Sequence, residues 1–572
     1  MDASVFRRAS CVIVAFSGLA LFACGDSSGT DVGQTSETGS ITTSTTSPTT
    51  SETGTASTTS STGDGDGDAS TTTGDGDGDA TTSTGDGDGD STSGVKFDMA
   101  ELPDGGDTGG GMAVPPNCDN IDDFPATSVG CEFFAAQVPS AGSNLPFGIA
   151  VGNPTEEVAT VQIEDMRGPG NTLRLITEFE LQPTESVLTA INGNGGLLGG
   201  SHMLSSVGLH EFGAFRVTSD VPVTAMQLFP VGGGPSHVSE ASMLLPVNAL
   251  DQSYIASNWN TFSGSYSGFV IVVAVEDATT VFTENGDYML DTFDAWHFNA
   301  GDDGTGFFIG ADKPVAVFSG IGCTMIPELP WYACDHIEEQ MLPLSAWGTH
   351  YVGARHPHRV PNLLNEPEDV YWRVIAAVDN TTITLEPPVA GNQIQLAQQG
   401  EWFEFATDVS FVAEGDNPFL LVQYMSGCYN VIKDTNQPSS CNQGPTGDPY
   451  MLQAVPAEQW LTQLPFLTDT SYPRDFVTII REQGTEVTLD CLGVVSDDHF
   501  TPIPGSIYEV GQVDLDINGN GGEGNCVDGA QFLTADNPVG VYVGGVDWAT
   551  SYGYPGGLSL NALWEPPIDP QG

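Results

Sequence analysis

Ser219-Asp220-Val221-Pro222-Val223, Ala311-Asp312-Lys313-Pro314-Val315, Gly415-Asp416-Asn417-Pro418-Phe419 and Ala535-Asp536-Asn537-Pro538-Val539 are four versions of one phrase. In each, an aspartate and a proline precede an apolar run that ends near glycine. Proline fixes φ and lacks the N–H that a sheet ladder needs, so the phrase reads as a turn that delivers proline to the first residue of a strand. The prolines lie 92, 104 and 120 residues apart. That spacing is the signature of a repeated unit.

Two further phrases repeat. Asp277-Ala278-Thr279-Thr280-Val281 matches Asp379-Asn380-Thr381-Thr382-Ile383, and Ile191 to Gly196 is identical to Ile517 to Gly522. Around them, Phe147 to Val151, Phe269 to Val275, Thr381 to Leu385 and Val539 to Val543 read as short strands broken by Gly, Pro, Asn and Asp. Sustained helical periodicity is missing. The expected fold is all-β: about four related tandem modules, sandwich-like, with propeller-like closure as the alternative. The modules are expected at 113–240, 241–338, 339–449 and 450–572.

The chain before them has a different character. Arg7 and Arg8 precede a short apolar run that closes on Leu21-Phe22-Ala23-Cys24. It has the length of a signal-peptide core and is too short for a comfortable membrane span. A small residue before cysteine, with leucine three positions earlier, resembles the lipobox of bacterial lipoproteins. That resemblance implies a signal peptide over 1–23 and lipid on Cys24. Residues 24–112 read as a disordered Ser/Thr/Gly/Asp-rich tether in which Gly-Asp-Gly-Asp-Gly-Asp recurs from Gly63, Gly74 and Gly85. Such a segment cannot bury enough apolar surface to order itself, and its span is about 50 Å.

Charge and cysteine content narrow the partners. The chain carries 75 acids and 13 Lys plus Arg; 18 acids and three bases precede residue 113, leaving 57 against 10 in the core. Nucleic acid and other polyanions are disfavoured, and basic partners favoured. Apart from Cys11 and Cys24, eight cysteines remain, falling as Cys118 and Cys131, Cys323 and Cys334, Cys428 and Cys441, Cys491 and Cys526. They allow 105 pairings, of which chain neighbours are the simplest, and an extracytoplasmic address suits disulfides.

Catalytic motifs are thin. Gly264-Ser265-Tyr266-Ser267-Gly268 has tyrosine where a nucleophilic serine would sit. His336, His350, His356 and His358, near Asp335, Glu338 and Glu339, offer a metal reading or a set of loop histidines satisfied by carboxylates. Asp514, Asp516, Asn518 and Asn520 stand at alternate positions before a glycine turn, as calcium ligands do, but Asn525 occupies the position of the bidentate glutamate. Calcium and a Gly/Asn hairpin both fit. Trp259, Phe262 and Tyr266 in a Ser/Gly/Asn-rich loop, with Trp548, Tyr552 and Tyr554, have the composition of a recognition surface or of rings pinning loops to their own domain.

Pro314 to Gly320, Cys334 to Pro343 and Trp347-Gly348-Thr349-His350-Tyr351-Val352 together resemble the IgGFc-binding-protein N-terminal domain family. The resemblance covers most of 131–560. It implies a secreted β-rich binding module and carries over no catalytic residue. The expected function is a lipid-anchored, extracytoplasmic binding or adhesion protein at a bacterial envelope or cell surface, recognising a surface glycan or protein. An anchored hydrolase and a structural envelope or matrix component are the alternatives.

Overall fold

The computed structural model describes residues 117–142, 144–233, 235–261, 266–327, 334–359, 367–431 and 444–568. These build an all-β protein in which one seven-strand plan occurs four times. The first unit shows it. Gly130–Ala136 and Ala159–Gly168 pair with the first half of a long strand, Ala214–Phe229, and Thr172–Leu181 adds outside Ala159–Gly168. Phe147–Gly152 and Glu240–Met243 pair with its second half, and Ser186–Asn192 adds outside Phe147–Gly152. One strand thus serves both layers of a sandwich whose inner faces carry Phe133, Phe147, Val161 and Phe215, all fully buried.

The repeated Asp-x-Pro phrase is the corner of that strand. In Ala214–Phe229, Phe308–Thr324 and Ala530–Val546 the strand runs through the phrase, and in the third unit it splits there into Phe411–Gly415 and Phe419–Tyr424. The expectation that proline is the first residue of a strand is not met: three strands run through it, and in the third unit the new strand begins one residue after Pro418, at Phe419. Elsewhere the ladder to the unit's first strand skips across the phrase, from Thr218 to Val223, Gly310 to Val315 and Thr534 to Val539. Proline has no N–H to lose at that break.

The aspartate fixes the corner to the unit's third strand. Backbone N–H groups of Thr160, Thr280, Thr382 and Glu486 donate to Asp220, Asp312, Asp416 and Asp536 at 2.6, 2.7, 2.7 and 2.9 Å. Thr280 and Thr382 belong to the second repeated phrase. There Ala278 and Asn380 turn the chain at φ 53° and 60°, and Thr279 and Thr381 donate to the carbonyls of Glu276 and Val378. The third phrase ends the strand that adds outside the second strand of units one and four, Ser186–Asn192 and Tyr508–Ile517.

Each unit passes to the next through Pro246, Pro343 or Pro456 and a single 3-10 turn. The indoles of Trp347 and Trp460 donate to the carbonyls of Leu342 and Val455, each at 3.2 Å, and lock the turns. The last strands, Glu240–Met243, Asp335–Gln340, Met451–Gln453 and Ser551–Pro555, pack against one another in a cycle. The start of the described core closes the ring on its end: Ser128 N–H donates to Leu558 O at 3.0 Å, and Thr127 bridges Ser559. Sandwich and propeller-like closure therefore occur together. These last strands straddle or follow the divisions expected after 240, 338 and 449, because each pairs with the unit upstream of it.

Cys118–Cys131, Cys323–Cys334 and Cys491–Cys526 are bonded as expected from sequence. Cys428 is also disulfide-bonded, while Cys441 lies outside the described residues. The lipobox, Cys24 and the tether lie outside them too.

The hub where the last strands meet is polar. Gln453 donates to Gln340 O at 2.8 Å and accepts from Leu342 N–H at 3.0 Å, and Gln340 accepts from Leu245 N–H at 2.9 Å. Among these amides lie the buried acids Glu240, Asp335, Glu339 and Asp448. Burial, reinforced by neighbouring carboxyls, pushes Glu240, Asp335 and Glu339 well above the usual carboxylate range. Burial also lifts Asp448 to about 8.

Two outcomes follow. In the unfolded chain these acids titrate near pH 4, so between there and their raised folded values the native state holds protons that the unfolded state releases. Stability from this source is complete below the unfolded value and falls as pH rises. Thermal melts are expected to give a higher midpoint near pH 5 than near pH 8, and Asp448→Asn to narrow that gap. At the corners, Asp312→Ala or Asp416→Ala is expected to cost about 1 kcal/mol by urea unfolding, since the facing threonine N–H loses its acceptor.

Candidate binding face

In each unit the segment between the bent strand and the last strand lies at one end of the hub. Neighbouring segments touch there. Ser239 N–H donates to Thr550 Oγ1 at 2.9 Å, and the Thr550 hydroxyl donates back to Ser239 O at 3.2 Å. Gly447 N–H reaches Asp547 O at 2.8 Å, and Gly427 N–H reaches Ile326 O at 3.0 Å. Units two and one meet below these segments, in the hub, where the His336 and Phe229 rings lie 6.1 Å apart. The described parts of these loops therefore touch from the second unit through the third and fourth to the first.

That face carries exposed rings. Trp548 is 45% exposed and meets the exposed His237 ring edge-on at 5.0 Å. Tyr429, beside the disulfide-bonded Cys428, is 37% exposed, as is Tyr266. Tyr266 comes from a different loop, the one joining the first two strands of the second unit, and lies beside Gly322 of the bent strand, where a Cβ would stand 3.2 Å from Tyr266 Cδ1.

The other aromatic candidates are structural. Trp259 is buried, and its indole donates to Pro327 O at 3.1 Å. The buried Arg373 guanidinium lies 4.3 Å from the Trp259 ring and 4.0 Å from Trp402. It donates to Asn258 O at 2.7 Å and pairs with Asp303 at 3.0 Å and Glu404 at 2.9 Å. Trp259 is thus the seat on which the third unit locks to the second. Tyr552 is fully buried with its hydroxyl on Asp475, and Tyr554 is buried with its hydroxyl on Leu467 O. Phe262 lies outside the described residues. Sequence reading missed His237 and Tyr429; the available signals were a Gly/Pro/Ser-rich loop and a tyrosine next to a bridged cysteine.

The histidines that looked grouped in sequence separate in space. His336 is in the hub, 3.2 Å from Glu338. His350 lies 3.5 Å from Glu414, while His356 and His358 face Glu368 at 3.8 Å each. Burial alone would raise the Glu368 carboxyl, but Arg359, His356 and Arg355 bring it down to about 2. Burial drives His356 down to about 3 despite that carboxylate. Arg359 bonds Glu368 at 2.7 Å and ties it to Thr446 O and Ser426, a brace beneath the loop face.

The calcium-like run is occupied by its own turn. Asp514 accepts from Arg474 at 2.8 Å, and Asp516 accepts from the N–H groups of Gly519 and Gly521 at 2.6 and 2.7 Å. Asn518 sits at φ 59°, and the Asn520 amide donates to Asn518 O at 2.9 Å. Among the described residues, no group of three or more His, Cys, Asp or Glu is arranged to hold a metal.

The family described as IgGFc binding protein matches residues 240–545, from the last strand of the first unit into the bent strand of the fourth. The IgGFc-binding protein of Homo sapiens is 26% identical over 223 residues, covering 36% of this chain and 4% of that protein. The chain thus spans only a small part of the length of this curated relative. No solved structure matches it.

Replacing Trp259 by alanine is expected to destabilise the core by about 3–5 kcal/mol, because it opens a cavity and strips the Arg373 seat. Trp548→Ala, on the exposed rim, is expected to change stability by less than about 0.5 kcal/mol. Urea unfolding of the two variants side by side measures the contrast.

Proposed function

The chain belongs to the IgGFc-binding protein family, and we propose that it is an extracytoplasmic, lipid-anchored binding protein that captures a protein ligand with its four-loop face. Membership in this family makes it a binding protein rather than an enzyme. The observation that carries the proposal is the run of touching loops with Trp548, His237 and Tyr429 exposed on it, and Tyr266 exposed on another loop of the second unit. Rigid aromatics supply contact area at small entropic cost, and a braced base avoids the cost of ordering loops on binding. The human relative's name points to the Fc region of immunoglobulin G as one ligand to test, and a surface glycan is the other class.

The anchor rests on Leu21-Phe22-Ala23-Cys24 and the tether on the composition of 24–112. No helix among the described residues is long and apolar enough to cross a membrane. With 75 acids against 13 bases, the ligand is expected to present basic rather than acidic groups.

Immobilised IgG Fc, a glycan array and surface proteins of the producing cell, each probed with the purified chain, test the reading. Trp548→Ala combined with Tyr429→Ala is expected to weaken capture of the ligand so found by about tenfold or more without lowering the melting temperature. Capture unchanged by the pair sinks the loop-face assignment. Cys24→Ser is expected to move the protein out of the membrane fraction or to leave its precursor uncleaved. Mature wild-type protein without lipid by mass spectrometry removes the anchor.

A further inference from the structure

Between the third and fourth units, on elements that take no part in the loop face, lies an open cleft of about 740 Å³. One wall is the outward side of a sheet in the third unit. Register places His350 opposite Glu414 and Glu414 opposite Thr384, with Val412 opposite Glu386 one step along. The other wall is the turn Gly505-Ser506-Ile507-Tyr508 of the fourth unit. That turn comes so close that a Cβ on Gly505 would stand 2.6 Å from Glu386 Oε1, and Gly505 holds φ +85°. The positive φ favours glycine in this turn, and the absence of a side chain lets Glu386 lie against it.

The chemistry of the cleft is one-sided. Val412, Pro388 and Ile507 give it an apolar lining, and Ile507 is 57% exposed. Glu386 and Glu414 are exposed beside it, and no lysine or arginine lines it. His350 turns Nδ1 to Glu414, its ring lies 5.4 Å from that of Tyr508, and its Nε2 is buried without a hydrogen-bond partner. The Tyr508 hydroxyl is pushed above its ordinary range by burial and by the nearby carboxylates of Glu482, Glu458 and Glu414.

An apolar groove whose carboxylates are met by one histidine and by no lysine or arginine suits a cation on an apolar stem. Lysine and arginine side chains are built that way. The volume exceeds that of one side chain, so a segment rather than a single residue can lie in it. We infer that this cleft is a second binding site, which takes an extended basic segment of a partner protein with an arginine or lysine between Glu386 and Glu414 and its stem along Ile507 and Val412. The inference is independent of the loop-face reading, because no cleft residue belongs to that face.

A fluorescently labelled hexapeptide alternating arginine and leucine, titrated into the full chain, tests it by anisotropy. Saturable one-to-one binding is expected, with the glutamate-leucine counterpart silent. Glu386→Gln with Glu414→Gln should weaken it by about tenfold or more. Ile507→Ser should weaken it by about threefold or more through the stem. Glu156→Gln with Glu157→Gln, two exposed acids of the first unit, should leave it unchanged. Equal weakening by both glutamate pairs would mean diffuse attraction to an acidic surface and overturn the site, as would binding indifferent to the cleft pair. All substituted side chains are exposed, so an unchanged melting temperature checks that folding is intact.

Discussion

The corner of the long strand is the constraint on which the rest depends. A sheet folded into a sandwich needs one strand to leave one layer and enter the other without orphaning backbone groups. Here proline stands where no ladder bond is available, and an aspartate two residues earlier accepts the N–H of the neighbouring strand. The same two-residue device appears in all four units, at hydrogen-bond distances within a few tenths of an ångström of one another. Because the corner fixes the relation of the two layers, it also fixes where the last strand emerges.

The last strands then build the hub, and the hub explains the burial of acids. Four strands meeting around one axis bring their side chains together whatever their polarity. The protein fills that space with glutamines that bond backbone across unit boundaries and with carboxyl groups whose burial favours the protonated form. An apolar hub would bind the units as firmly. A polar one gives each contact a directional partner and so sets the order in which units pack, at the cost of a fold that prefers acid. The loops above it inherit that rigidity, which suits a recognition surface.

Legibility in the sequence followed distance along the chain. The Asp-x-Pro phrase, the Asp-x-Thr-Thr phrase and the near-neighbour cysteines are local patterns, and each marked a real feature. Their partnership was invisible: nothing in the string says that Asp312 seeks the N–H of Thr280. The aromatic candidates divided for the same reason. Trp259 and Trp548 sit in loops of similar composition, yet one receives Arg373 from the next unit and the other meets the His237 ring at the rim. A clue to Arg373 did exist. In a core with ten bases, an arginine following Tyr371-Trp372 in an apolar strand is expensive and needs several partners.

The sequence by itself determined the class of fold, the repeat, the family and an acidic surface, because periodicity, turn chemistry and charge are properties of neighbours in the chain. Tertiary structure alone decided the rest. Closure of the ring joins Ser128 to Leu558, 430 residues apart. The four histidines scatter to the hub, a cleft and a brace, and the acids of Asp514 to Asn520 turn to Arg474 and their own backbone. Whether a side chain is buried, and by what, depends on which distant strand arrives beside it, and that is settled only when all four units pack.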